Sequence, residues 1–267
     1  MTAYGATKLS VNLNKVALLR NQRDVGYPDP VAAGRTILKA GAHGLTVHPR
    51  PDERHIRKTD VYAIAEMMEA EGWRRRGVEF NIEGNPFDDY MQLVAAVRPD
   101  QATLVPDSPD AATSDNGWDV FADSIRLAER IAALHEAGAR VSLFMNAEAD
   151  AARAADVMAK TAELGAERIE LYTGPYAHAF DRLQRAEVLA HYVQTAEAAV
   201  KAGLLINAGH DLTTENVGPL LNALPRLDEV SIGHAFTADA LWMGFEGAVK
   251  AYLDALGAKP ATAQQAA

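Results

Sequence analysis

The sequence predicts an α/β fold, a (β/α)8 TIM barrel in one domain with additional short helices. Three observations predict it. A unit of helix, glycine turn and strand recurs along the chain. Eight short segments read as strands, and a helical pattern follows each. The segment Ser10 to Lys15, after the first strand, contains no glycine. The alternative, an open doubly wound sheet, usually carries a glycine-rich phosphate loop there. Eight βα units in 267 residues fit a closed barrel.

The recurring unit marks the elements in order. Helical patterns end at Gly41, Gly138, Gly165 and Gly203, and apolar runs begin within a few residues of each. Glycine after a last helical turn is the expected left-handed cap. The strands are expected as short, continuously apolar parallel strands. They are placed at about Leu9–Leu13, Gly44–Val47, Val78–Ile82, Gln101–Leu104, Arg140–Phe144, Arg168–Tyr172, Leu204–Asn207 and Glu229–Ile232. Asp29-Pro30 and Asn85-Pro86 each offer a capping side chain before a proline in the first helical turn. Thr59, Asp119, Thr213 and Thr237 are further candidate caps. Residues 1–257 are read as the barrel and 258–267 as a frayed tail. The polar loop from Pro106 to Trp118 reads either as a passive surface loop or, at that face of the barrel, as a lid.

Composition narrows the function. The net charge is −10, which argues against a nucleic-acid or anionic-membrane surface. There is no cysteine, so thiolate chemistry, disulfides and cysteine-held metals are excluded. No run is long and apolar enough for a signal peptide or a membrane span, so a cytoplasmic location is expected.

Barrels place chemistry at the C-terminal ends of their strands. Here those ends carry Asn12, Asn14 and Lys15; His48, Arg50 and His55; Glu83; Glu170, Tyr172 and Thr173; Asn207 and His210; and Gly233-His234. His43, His135, His178 and His191 fall elsewhere and read as structural or surface groups. Singly, a strand-end Glu is an ordinary hydrogen-bond acceptor, Asn207 a loop cap and Arg23 a surface charge. Together, two carboxylates and four imidazoles at one mouth supply proton donors and acceptors. Glycine turns after the seventh and eighth strands, at Gly209 and Gly233, sit where barrels hold phosphate.

These residues resemble the pyridoxine 5′-phosphate synthase family. The matching stretches are LSVNLNKVALLRNQR at 9–23, GLTVHPRPDERHI at 44–56, FNIE at 80–83, LVP at 104–106, VSLF at 141–144, IELYTG at 169–174, NAGH at 207–210 and IGH at 232–234. They are collinear and span nearly the whole chain. The resemblance implies condensation of 3-amino-2-oxopropyl phosphate with 1-deoxy-D-xylulose 5-phosphate, a transferase reaction of vitamin B6 biosynthesis that releases phosphate and water. It implies His48 and Glu83 as proton acceptors, His210 as proton donor and Glu170 as transition-state stabiliser. It implies that Asn12, Arg23, Asp211, Gly233 and His234 bind the aminoketone phosphate. Asn14, Lys15, Arg50, His55 and Thr113 would bind the deoxyxylulose phosphate. No cofactor or metal is implied, and the expected assembly is a homo-octamer. Two departures stand out. Asn14-Lys15 replaces the Asp-His of a common form of the family, which points that pair to binding rather than proton transfer. Asp211 stands where some members have glycine.

Three other functions fit parts of the pattern. A metal-dependent barrel would use His48, His210, His234, Glu83 and Glu170 as ligands, yet strand one lacks a His-x-His pair. A Schiff-base aldolase would need a lysine at the mouth, where Lys15 stands alone. A non-catalytic phosphometabolite-binding protein would not require the acid/base groups.

Overall fold

A computed structural model of the chain describes residues 6–108 and 114–259. The chain begins with β1 (Lys8–Asn12), α1 (Asn14–Asn21), α2 (Pro30–Lys39), β2 (Gly44–Val47) and α3 (Lys58–Ala70). It continues through β3 (Glu79–Gly84), α4 (Asp88–Val97), β4 (Gln101–Leu104), α5 (Ser124–Glu136), β5 (Arg140–Met145) and α6 (Ala151–Glu163). The last third holds β6 (Arg168–Tyr172), α7 (Gly174–Ala179), α8 (Arg185–Lys201), β7 (Leu205–Gly209), α9 (Val217–Ala223), β8 (Glu229–Ile232) and α10 (His234–Leu256). Every strand pairs in parallel with its sequence neighbours, and β8 closes on β1. The expected barrel is therefore the observed one, with α1 and α7 as its additional short helices.

The four recurring glycines all have positive φ, from 81° at Gly203 to 110° at Gly41. Asp29 caps α2, its side chain accepting the Val31 N–H with Pro30 in the first turn. The other expected caps are corrected. Asn85 does not cap a helix, because α4 begins only at Asp88. Its amide instead accepts from Arg126 and donates to the Asp107 carbonyl. Thr59 lies inside α3, where Asp60 reaches back to the Arg57 N–H. Asp119 and Thr213 accept backbone N–H groups in turns preceding α5 and α9. Thr237 sits within α10.

The strands are buried, but they are not continuously apolar. Leu9, Val11, Leu45, Phe80, Ile82, Leu143, Ile169, Leu171 and Ile206 belong to the hydrophobic core. Most residues of opposite parity are polar, Phe144 being an exception, and several hydrogen-bond one another across neighbouring strands. Ser10 pairs with Thr46 at 2.8 Å, Thr103 donates to Asn81 at 3.0 Å, and Asn207 donates to Glu229 at 3.1 Å. At the N-terminal end of the barrel, Arg168 donates to Gln101 at 2.9 Å and lies 3.5 Å from Glu79. A polar interior allows carboxylates to stand deep in the barrel, provided that neighbours satisfy them. Beyond α10, His43 bonds the Lys259 carbonyl at 2.9 Å, so this histidine is structural.

Candidate active site

The strand ends converge on a cavity of about 260 Å³ at the C-terminal mouth. Asn12, at the end of β1, uses both ends of its amide. Its Oδ1 accepts the Asn14 N–H at 2.9 Å, and its Nδ2 donates to Glu83 Oε2 at 3.2 Å. Asn14 Oδ1 accepts the backbone N–H of His48 at 2.9 Å. Two asparagines thus tie the ends of β1, β2 and β3 together. This gives a physical account of Asn14: a carbonyl oxygen accepts from His48 as a carboxylate would.

His48 Nδ1 lies 3.9 Å from Glu83 Oε2, close but beyond a direct hydrogen bond. Burial, then Arg50, His55, His210 and Arg54, holds the His48 pKa well below the usual imidazole value. His55 is fixed by its own chain, with Nδ1 accepting the Ile56 N–H at 2.9 Å. Burial, reinforced by Arg50 and Lys15, brings its pKa to about 4. The loop carrying it is fastened from α1, where Arg20 and Asn21 both donate to the His55 carbonyl. Arg20 also makes a two-pronged pair with buried Asp60.

Glu83 and Glu170 are both buried in the barrel mouth. Burial raises the Glu83 pKa well above the carboxylate range, and Glu170, Asp107 and Glu229 add to the rise. Burial raises Glu170 to about 7 against the pull of Arg168. Glycine at 209 is required here, since a Cβ would stand 2.3 Å from Glu170 Oε1. His210 follows directly. Its ring meets those of Phe144 and Tyr172 edge-on, at centroid distances of 5.2 and 5.6 Å. Burial brings its pKa to about 4 against the pull of Asp211, with Arg50 and Lys15 adding to the fall.

Lys15, Arg50, Gly233 and exposed His234 complete the rim, with Gly233 preceding α10, whose first helical stretch runs to a kink at Gly244. Arg50 donates to Asp107 at 2.5 Å, and Ser114 donates to the same oxygen at 2.5 Å. The loop's far end is anchored by Trp118, whose indole donates to the Leu104 carbonyl at 2.8 Å.

The structure brings Asn12, Asn14, Lys15, His48, Arg50, His55, Glu83, Glu170, His210, Asp211, Gly233 and His234 to one cavity. Arg23 is exposed between α1 and α2 and does not line it. Thr113 lies outside the described residues, as does part of the expected lid. Sequence reasoning gave no role to Arg54, Ser114 or Ser231, which also line the cavity, nor to Asp107. Asp107 was detectable as the first carboxylate after β4. Asp211 has φ of 57°, a left-handed conformation that explains how a glycine fits the same position. Among the described residues, no group of three or more His, Asp or Glu is arranged to hold a metal ion.

The sequence model of the pyridoxal phosphate biosynthesis protein PdxJ matches residues 9–258, which include all eight strands except Lys8 of β1 and all of these site residues. The chain belongs to the PdxJ family. It is an enzyme of that family, similar to the pyridoxine 5′-phosphate synthase of Xanthomonas axonopodis pv. citri at 52% identity, over 94% of this chain and 96% of that protein. The enzyme of the same name from Albidiferax ferrireducens is 50% identical over 92% of this chain and 96% of its own length. Among solved structures, a mutant tryptophan synthase α-subunit from Pyrococcus furiosus aligns with a TM-score of 0.59 at 12% identity, covering 96% of this chain and all of that one. Phosphoribosyl anthranilate isomerase from Thermus thermophilus gives a TM-score of 0.55 at 15% identity, covering 94% and 98%. These two likenesses show the barrel fold alone. No helix among the described residues is long and apolar enough to cross a membrane.

Proposed function

We propose that this PdxJ-family enzyme joins 3-amino-2-oxopropyl phosphate to 1-deoxy-D-xylulose 5-phosphate, forming pyridoxine 5′-phosphate and releasing phosphate and water. The observation that carries this reading is the meeting of Glu83, Glu170, His48 and His210 with Lys15 and Arg50 in one cavity. The amine of one substrate attacks the ketone of the other, and the carbinolamine loses water to an imine. Removal of carbon-bound protons next to the imine gives enol and enamine forms whose electron pairs expel water and phosphate, and an enol or enamine carbon attacks the second carbonyl. Each step moves a proton at a different atom, so several groups of different basicity are needed. Neutral His48 and the carboxylate form of Glu83, made more basic by burial, accept protons, His210 delivers one to a departing oxygen, and Glu170 steadies developing charge.

Arg50 and Lys15 help keep the His55 and His210 imidazoles neutral. A bound phosphate neutralises those cations, which raises His210 toward the range of a useful acid. Asn12, Asp211, Gly233 and His234 hold the aminoketone phosphate, the last two at a helix N-terminus. Asn14, Lys15, Arg50 and His55 hold the deoxyxylulose phosphate. The same reading places the enzyme in the cytoplasm as a homo-octamer, self-association being supported by Leu241 and Trp242, 71% and 89% exposed.

The test is product formation from both substrates with chelator present, using wild type and Glu83→Gln. Product from wild type and a loss of roughly 100-fold or more in the variant supports the assignment. Folded wild-type protein that makes no product refutes it.

A further inference from the structure

The turn that delivers His210 is strained. His210 and Asp211 are consecutive non-glycine residues at φ of 77° and 57°. Such conformations cost free energy at each residue, and persist where surrounding contacts over-determine them. Here three successive carbonyls are gripped. The Thr173 hydroxyl lies 2.6 Å from the Gly209 carbonyl and 2.5 Å from that of His210. The Thr173 N–H donates to the Gly209 carbonyl at 2.9 Å. Asn216 Nδ2 donates to the Asp211 carbonyl at 3.1 Å. The grip is itself fixed, because Asn216 accepts the Thr213 N–H and the Tyr176 hydroxyl. Thr173 has no exposed surface, so its hydroxyl proton has no water to choose instead.

We propose that Thr173 is a positioning residue, whose hydroxyl holds the left-handed turn after β7 and thereby aims the His210 imidazole into the cavity. Thr173 does not line the cavity and acts through His210. It follows Glu170 and Tyr172 on β6, so one short segment carries a buried carboxylate, one aromatic wall of His210 and the clamp on its backbone. Removing the hydroxyl leaves the partly buried His210 carbonyl facing a methyl group and the Gly209 carbonyl held by the Thr173 N–H alone, and the turn relaxes toward a less costly conformation. The imidazole then swings away from its place between Phe144 and Tyr172. The catalytic consequence rests on the proposed acid role of His210.

The experiment uses the full chain with Thr173→Val, Thr173→Ser and His210→Gln. Steady-state rates are read beside the rate of His210 carbethoxylation, followed by peptide mass spectrometry. Thr173→Val is expected to lower kcat roughly 10- to 100-fold, the scale of a misplaced catalytic group, with each KM within about threefold. His210 labelling changes several-fold while His191 labelling does not. Thr173→Ser keeps both near wild type. A Thr173→Val enzyme with unchanged kcat and unchanged His210 labelling overturns the proposal, even if it melts at lower temperature. So does a Thr173→Ser enzyme as impaired as His210→Gln, which keeps the test decisive should the valine variant not fold. Full activity in His210→Gln would refute the acid role alone, and His210 labelling in the Thr173 variants would still decide the clamp.

Discussion

Glu170→Gln tests whether the barrel really stabilises a neutral carboxyl. Burial raises the Glu170 pKa from 4.5 to about 7. At 1.36 kcal/mol per unit, keeping this side chain ionised in the fold costs about 3 kcal/mol. The sign follows from proton counting. Between pH 4.5 and 7 the folded state holds a proton that the unfolded chain has released, so stability falls as pH rises through that window. From pH 5 to pH 8 wild type loses roughly 2–3 kcal/mol through this one group. Glutamine carries no charge at either pH and removes that share of the loss. Glu229 is raised in the same direction without help from Glu170 and remains in both proteins, whereas Glu83 is raised partly by the Glu170 charge, so the difference between the two pH profiles reports position 170 together with its coupling to Glu83. The assay is urea unfolding at pH 5 and pH 8, at one protein concentration because association shifts the midpoint. Glu170→Gln is expected to be the more stable protein at pH 8 and to lose most of that advantage at pH 5. Equal pH profiles for the two proteins would falsify the argument that burial holds Glu170 neutral.

Further expectations concern the neighbours. Gly209→Ala places a Cβ 2.3 Å from Glu170 Oε1 and 3.2 Å from the Ser231 carbonyl; calorimetry should show a loss of roughly 1–3 kcal/mol, with kcat falling as Glu170 is displaced. Asn14→Leu leaves the buried His48 N–H without its acceptor and should cost roughly 1–3 kcal/mol, whereas Asn14→Asp keeps the acceptor and should melt near wild type. Arg20→Met strands the Asp60 carboxylate beneath the His55 loop, with an expected loss of roughly 3–5 kcal/mol by denaturant titration. Inorganic phosphate should raise the His210 pKa from about 4, read as a shift in the pH midpoint of its carbethoxylation. An unmoved midpoint despite phosphate binding would count against the cation–imidazole coupling.

The architecture was legible because it depends on local signals. Gly41, Gly138, Gly165 and Gly203 mark helix ends by a backbone need that few other residues meet. The strand ends then ordered His48, Glu83, Glu170 and His210 around one mouth before any distance was known. Helix starts were less legible. Asn85 and Thr59 look like caps in sequence, but each has another use or position once neighbouring elements are in place. Burial alone also concealed the interior chemistry: a strand buried on both faces is expected to be apolar, while this barrel fills its inside with hydrogen-bonded polar residues.

By itself, then, the sequence determined the order of the βα units, their closure into a barrel and the residue types at the mouth. Those follow from periodicity, capping and spacing along one chain. The tertiary structure decided which groups meet. Asn14 supports His48 from the start of α1, Asp107 pairs with Arg50 across 57 positions, and Thr173 grips a turn 37 residues away. It also decided the charge states, because the pKa shifts of Glu83, Glu170 and His210 arise chiefly from loss of water. Desolvation belongs to a place in three dimensions, and no residue carries it in its own chemistry.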